Sequence, residues 1–395
     1  SPLVYCDEYN VRLFGIEKLH PFDSGKWGRI VHFLIEEGCI QPHQVVHPRA
    51  ATNDDLLLVH SQEYLDSLRS SFNLATIGEL PPLALFPNFI LQHRVVRPFR
   101  YQVGGSVLAA KLAVERGAAV NVGGGLHHCS RHTGMGFCAL ADISAIIVFA
   151  RAFLGVRRVL IVDLDAHQGN GHETDWEGDA DVFIVDVYNA AIFPRDHQAK
   201  AGIRIAKELR SGTGTTQYLD AVTQALQEVA AAAFHADLLI YNAGTDILTN
   251  DPLGRLAVTA EGVQRRDEMV FQFASNHSTP ILMLTSGGYQ PNNARIVANS
   301  LANLSAKQLL PLQGPPAASS CSPWSSRPSS SSPWSSRPSS SSPWRSRPSS
   351  SSPWSSRPSS SRPWPLRQLL LDPVQPWGGG CGGDGLWGGV CEGGA

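Results

Sequence analysis

The chain has 395 residues, 43% of them hydrophobic and 17% charged, enough to bury one large core or two ordinary ones. The formal net charge is −2, but seven arginines and only three acids lie from Cys321 onward, which leaves the body at −6. Such a body is a poor binder of polyanions and suits a cationic protein substrate, while seven cysteines without a C-x-x-C pair exclude a zinc-finger or secreted disulfide framework.

The first predicted elements are helices over 25–37 and 61–72. A helix over 104–116 then leads through Gly117, where a positive φ is wanted, into a strand over 119–122. That strand ends in Asn121-Val-Gly123-Gly124-Gly125-Leu-His127-His128, a glycine turn delivering adjacent histidines. The turn lacks the Lys-Ser/Thr of a phosphate loop, and a histidine pair suits acid–base work near neutral pH. A helix over 140–154, closed by Gly155, precedes a strand over 159–163. This strand runs into Asp163-Leu-Asp165-Ala-His167-Gln-Gly169-Asn170-Gly171-His172. Extended side chains alternate, so Asp163, Asp165 and His167 are expected on one side of the strand end.

Further strands are predicted over 182–187, 238–241 and 281–285, with helices over 216–234, 260–275 and 291–304. The strand at 238 leads to Asn242-Ala-Gly244-Thr-Asp246, and the one at 281 to Ser286-Gly287-Gly288-Tyr289. The strands are rich in Val, Ile and Leu and nearly continuous in hydrophobicity, as strands buried on both faces are. Their alternation with helices predicts an α/β domain over 1–304, a large, mainly parallel sheet sandwiched between helices. In such sheets the working residues gather beyond the carboxyl ends of the strands. Residues 305–395 read as a disordered tail: Ser322-Pro-Trp324-Ser-Ser-Arg327-Pro-Ser-Ser-Ser recurs in close copies from Ser332, Ser342 and Ser352, and a Gly-rich stretch follows. No apolar run is long enough to cross a bilayer.

Asp165, His167 and Asp246 form a set of two carboxylates and one imidazole. Three protein ligands with an open position is the arrangement of catalytic zinc, although manganese or iron accepts the same donors. A two-metal ureohydrolase site needs a further carboxylate two residues after the histidine, and Gly169 stands there. One metal is therefore expected.

Taken together these strings resemble the histone deacetylase family. The resemblance runs in order through His20-Pro-Phe-Asp23-Ser-Gly-Lys26-Trp27, Gly123 to His128, Gly134-Met-Gly136-Phe137-Cys138, Asp163 to Gly171, Gly244-Thr-Asp246 and Ser286 to Tyr289. It covers about residues 3 to 304 and is closest to class IV. It implies an arginase/deacetylase-like fold and hydrolysis of N6-acyl-lysine, acetyl and long fatty acyl, giving lysine and a carboxylate. It implies one Zn2+ on Asp165, His167 and Asp246, and a structural monovalent cation. His128 would be the general base, His127 its electrostatic or acidic partner, Asp163 the group that orients His127, and Tyr289 the oxyanion donor. Asn170 stands where many relatives carry an Asp beside the second histidine. Gly125, Gly136, Phe137, Gly287 and Gly288 would line the substrate channel, with an opposite wall near Asp186 to Tyr188. Arg195, after Phe193-Pro194, stands where Gly is usual. The implied partners are acylated-lysine proteins, histone tails among them, and corepressors or other deacetylases, with no direct nucleic-acid binding. The implied setting is the nucleus and cytoplasm, with a role in chromatin regulation and transcriptional repression. Two alternatives stay open: an acetyl-polyamine deacetylase, differing at the channel mouth, and a non-catalytic corepressor scaffold.

Overall fold

The computed structural model describes residues 1–312 apart from His20. The Ser/Pro/Arg/Trp repeats and the Gly-rich end expected to be disordered lie outside the described residues. One eight-stranded, all-parallel sheet organises the chain. Its strands are β1 (Leu3–Val4), β2 (Val45–Val46), β3 (Ala118–Asn121), β4 (Val159–Asp163), β5 (Val182–Asn189), β6 (Ile205–Leu209), β7 (Leu238–Asn242) and β8 (Ile281–Leu284). Their order is β2-β1-β3-β8-β7-β4-β5-β6.

Residues alternate between the two faces, so each central strand feeds two cores. Val120, Val162, Leu239, Tyr241 and Met283 enter one core. Ala119, Ile161, Ile240, Leu282 and Leu284 enter the other. The first face is covered by α1 (Lys26–Glu36), α9 (Thr215–Ala231), α10 (Ala260–Asn276) and α11 (Asn293–Ala306). The second is covered by α6 (Arg97–Arg116) and α7 (Asp142–Phe153). A separate apolar cluster ties together α2 (Asn53–Leu56), α3 (Gln62–Ser67), α4 (Ser71–Ile77) and α5 (Asn88–Leu91) through Leu56, Tyr64, Leu74, Ile77 and Leu91. The last helix, α8 (Asn170–Asp175), follows the long motif after β4.

All five predicted strands form, each with bounds shifted by a few residues at most. The sheet also contains β1 and β2, two residues each, and β6, an edge strand that alternates buried and exposed residues. Such segments lack the continuous apolar run that marks the central strands. The helix expected over 61–72 is two helices. Ser70 is extended, with ψ of 122°, and its hydroxyl accepts from Asn73 N, so it caps a new helix instead of continuing the old one. The helix expected from 104 begins at Arg97 and is joined to α5 by a π-helical turn over Gln92–Val96. The body runs past the boundary expected at 304, because Leu310 and Leu312 are buried in the first core. No helix among the described residues is long and apolar enough to cross a membrane.

Register decides where the site lies. Asn121 pairs with Leu284, Leu284 with Asn242, Asn242 with Asp163, and Asp163 with Asp186. β3, β8, β7 and β4 therefore end at one level, and the loops that leave them meet at the carboxyl end of the sheet.

Candidate active site

Two of those loops, the one after β4 with Asp165 and His167 and the one after β7 with Asp246, bring the three residues together. All three are buried, and one ligand atom from each lies within 4.8 Å of the others. His167 Nδ1 is 2.7 Å from Asp246 Oδ2 and 3.2 Å from Asp165 Oδ1. Asp165 Oδ1 also accepts from His167 N at 3.0 Å, and Asp246 Oδ1 from Ala166 N at 2.9 Å. Two carboxylates packed this closely repel. Burial and the charge of Asp165 push the Asp246 carboxyl up to about 7. Burial alone would lower His167, but hydrogen bonds to both carboxylates raise it to about 10. The pocket thus calls for a cation between its carboxylates, so the donor set fits a divalent metal. Gly287 permits the closeness: a Cβ there would meet Asp165 Oδ2 at 2.4 Å. Its amide instead donates to that oxygen at 3.2 Å, as does the Ser286 hydroxyl.

The histidine pair stands beside this group, with ring centroids 4.1 Å apart. His127 Nδ1 lies 3.0 Å from Asp163 Oδ2, and His128 Nδ1 lies 2.9 Å from Asn170 Oδ1. Both acceptors lack protons, so both Nδ1 atoms carry one. The Asn170 amide orientation follows from its other end, where Nδ2 donates to Asp196 Oδ2 at 3.3 Å. The environments of the two rings differ. Burial opposes charging His127, yet Asp163 and Asp165 raise it to about 9. Burial and the nearby His127 and His167 charges hold His128 well below its ordinary value. Burial and neighbouring positive charge thus disfavour a proton on His128 Nε2, and its amide partner adds no negative charge to oppose them, while the carboxylates of Asp163 and Asp165 favour the charged form of His127.

Tyr289 sits edge-on to His167, Phe137 and Phe22 at centroid distances of 6.0–6.1 Å. Its amide donates to Asp251 Oδ2 at 2.9 Å. Burial and the Asp246 and Asp165 charges hold its phenol well above the ordinary range. Gly125, Gly136, Phe137, Gly287 and Tyr289 line one cavity together with His127, His128 and Asp165. Gly288 does not line it; its carbonyl faces Lys26 Nζ at 3.5 Å. The channel wall expected near Asp186 to Tyr188 is elsewhere. Those residues are buried within β5, which runs on to Asn189, while Phe193, edge-on to His128 at 5.1 Å, lines a cavity together with Phe137, His167 and Tyr289. Arg195 lines the outer mouth with Glu79 and Arg255. Its φ of 54° is in the left-handed region, which is why a glycine would be at ease there.

Sequence reasoning missed several residues. Lys26 is buried, and its Nζ donates to the carbonyls of Ser286 at 2.6 Å and Gly287 at 2.9 Å while sitting 4.3 Å from the Trp27 ring. It lies within the Lys26-Trp27 string, but nothing local shows that its partner is a turn 260 residues away. Burial pulls its pKa down to about 8, against the opposing charges of Asp246 and Asp165. Asp196, behind Asn170, stands in no motif. Asn242 reads in the sequence only as a strand end, yet its Nδ2 donates to Asp163 Oδ1 at 2.9 Å.

Comparison with known proteins gives a consistent picture. A family model for the histone deacetylase domain matches residues 20–304. "Histone deacetylase 2" of Arabidopsis thaliana is 52% identical over 308 residues, 78% of this chain and 79% of that protein. An uncharacterised protein of a Picosynechococcus strain is 31% identical over 74% of this chain and 93% of its own length. The acetoin utilization protein AcuC of Staphylococcus xylosus is 25% identical over 72% and 77%. Among solved structures, the HDA15 HD domain superposes with a TM-score of 0.63 at 22% identity, over 78% of this chain and 91% of that one, a likeness of fold.

Proposed function

This chain belongs to the histone deacetylase family, hydrolases acting on acetyl-lysine, and from that premise we propose that it hydrolyses N6-acyl-lysine in proteins with Asp165, His167 and Asp246 holding one zinc ion. The observation that carries the reading is that the three donors lie within 4.8 Å of one another and that one of them, Asp165, lines a cavity with the histidine pair and Tyr289. With two carboxylates, one imidazole and no sulfur, the set suits zinc with an open position. A bound zinc would polarise the scissile carbonyl and acidify the attacking water.

The residues divide the remaining work. His128 Nε2 faces the cavity with a lone pair and takes a proton from water, while Asn170 holds its Nδ1–H. His127, kept cationic by Asp163, supplies a proton to the departing lysine nitrogen. The Tyr289 hydroxyl donates to the oxyanion. Phe137 and Phe193 flank the aliphatic stem of the lysine. The catalytic domain spans 1–304 and the packed residues up to Leu312. For the implied monovalent cation, the buried Asp186 Oδ1 and Glu173 Oε1, which lack donors, offer oxygens. Acylated histone tails and other proteins in nucleus and cytoplasm are the proposed substrates, with corepressors or other deacetylases as partners.

The inner end of the cavity supports a long acyl group. Beyond His127 and Asp165 it continues between apolar side chains of the α2–α5 cluster and its neighbours, including Leu74, Ile77, Leu83, Val95 and Phe99. An acetyl methyl leaves most of that surface uncovered, whereas each methylene buried there contributes about 0.8 kcal/mol. Peptide hydrolysis with metal analysis tests both levels. Myristoyl-lysine peptide should be cleaved with the higher kcat/KM. Ile77→Trp should lower that value by about tenfold or more and leave acetyl-lysine cleavage within about twofold. Turnover of neither peptide by the zinc-loaded protein would leave only a scaffold role. Equal loss on both substrates in Ile77→Trp would remove the long-chain assignment.

Lys26 fixes the turn that carries Tyr289, because one ammonium holds two consecutive carbonyls. Lys26→Met keeps the stem and deletes the donors. It should lower kcat by about 10–100-fold with bound zinc retained. An unchanged kcat would show that the turn is held without it.

A further inference from the structure

One buried imidazole has no part in the mechanism above. His172, 1% exposed, lies in the first turn of α8. Its Nε2 is 2.8 Å from Asp163 Oδ2, the same oxygen that faces His127 Nδ1 at 3.0 Å. Its Nδ1 has no partner. The other carboxylate oxygen, Oδ1, accepts from Asn242 Nδ2 at 2.9 Å and from Asp165 N at 3.2 Å. An ionised carboxylate offers about four acceptor positions, and all are filled: two imidazoles on one oxygen, two amides on the other.

We infer that His172 is a positioning residue for the reaction, holding Asp163, through a hydrogen bond from Nε2–H, in the orientation in which it carries His127. The inference rests on the deacylase reading and adds to it a residue outside the catalytic pair. Three features support it. An ionised carboxylate only accepts, so a 2.8 Å contact requires the proton on Nε2. Were His172 only a space filler, an apolar side chain would fill its place without burying an unpartnered Nδ1. Finally, the backbone is built around the contact. A Cβ on Gly169 would meet His172 Nε2 at 2.2 Å and Asp163 Oδ2 at 2.6 Å. Gly171 N donates to the His127 carbonyl at 2.8 Å, which docks the start of α8 on the histidine pair. One helical turn thus serves both histidines, Asn170 directly on His128 and His172 through Asp163 on His127. With two donors converging on Oδ2, the carboxylate cannot pivot, and its attraction is shared between two rings, so the proton on His127 stays transferable.

Two measurements on the full, zinc-loaded chain test this. The first is the tautomer of His172 by 15N NMR of histidine-labelled protein, assigned by comparison with His172→Gln. A proton on Nε2 is expected, and an unprotonated Nε2 overturns the inference whether or not the protein turns over any substrate. The second is kinetic. His172→Phe should lower kcat about tenfold while KM and zinc content stay within about twofold. His172→Gln, which keeps a donor at similar reach, should recover most of the loss. In an Asp163→Asn background the same His172→Phe change should cost less than about twofold more. Full additivity there, or Gln faring no better than Phe, overturns it. Should His172→Phe fail to fold, His172→Asn, too short to reach Asp163, replaces it in the same comparison. Failure of the deacylase reading is separately visible as a wild-type chain inactive on both acyl peptides.

Discussion

Asp165→Ala should abolish zinc binding and, with it, acyl-lysine hydrolysis, a loss of roughly 10³-fold or more in kcat/KM, or about 4 kcal/mol of transition-state stabilisation. Asp165 is the hinge of the group. One oxygen faces His167, and the other accepts from the Ser286 hydroxyl and the Gly287 amide. Its removal takes away a ligand and loosens the turn before Tyr289 at the same time. Folding should survive, because in the absence of a cation Asp165 and Asp246 repel in a fully buried site. A chelator should lower the Tm of the wild type, since a ligand that binds only the folded state stabilises it. It should leave the Tm of Asp165→Ala unchanged. Metal analysis, thermal unfolding with and without chelator, and peptide hydrolysis together check the expectation. A variant that keeps stoichiometric zinc would show that the ligands are misassigned, and turnover of a guanidino substrate with two metals per chain would return the chain to the ureohydrolase reading.

The central sheet was readable because β3, β4, β5, β7 and β8 are buried on both faces and carry runs of Val, Ile and Leu. Their ends were readable for a related reason. Polar residues directly after an apolar run, such as Asp163, Asp165 and His167, are set by the strand's own alternation. Two-residue strands carry no such signal, and β1 and β2 exist only because Val4 and Val46 pair within a sheet formed by distant segments. The α2–α5 region, legible only as one helix over 61–72, is obscure for another reason. Its helices are short, and their inward faces are fixed by packing around the cavity, not by periodicity.

Single residues whose partners are remote were the least legible. Lys26 meets Ser286 only after the whole sheet is assembled. Asp196 reaches Asn170 across 26 residues from a loop without a motif. His172 stood in plain view, five residues after His167, but its partner Asp163 was already accounted for by His127. What a sequence motif does not reveal is how many donors one carboxylate serves. The consequence of Asn170 is clearer in three dimensions. Its carbonyl accepts from His128 without adding a negative charge, so the pair is asymmetric: a neutral ring beside an amide and a cationic ring beside a carboxylate.

Tyr289→Phe should leave zinc, fold and substrate binding in place and lower kcat by about 10²–10³-fold, the usual cost of one oxyanion donor. The reason is how little of the ring's placement depends on its hydroxyl. The ring is fixed by edge contacts with Phe22, Phe137 and His167, and the backbone by the bond from its amide to Asp251. A phenylalanine keeps all four contacts. The phenol is held in its protonated form by burial and by the two ligand carboxylates, so it remains a donor over the whole working pH range. Loss of the donor should appear equally in kcat and kcat/KM, because the interaction forms only as charge develops on the carbonyl oxygen. A rise in KM at constant kcat would instead make Tyr289 part of the lysine channel, with oxyanion stabilisation left to the metal site. The contrast with Asp165→Ala separates the two halves of the site: one variant loses its metal and the other keeps it, yet both lose turnover.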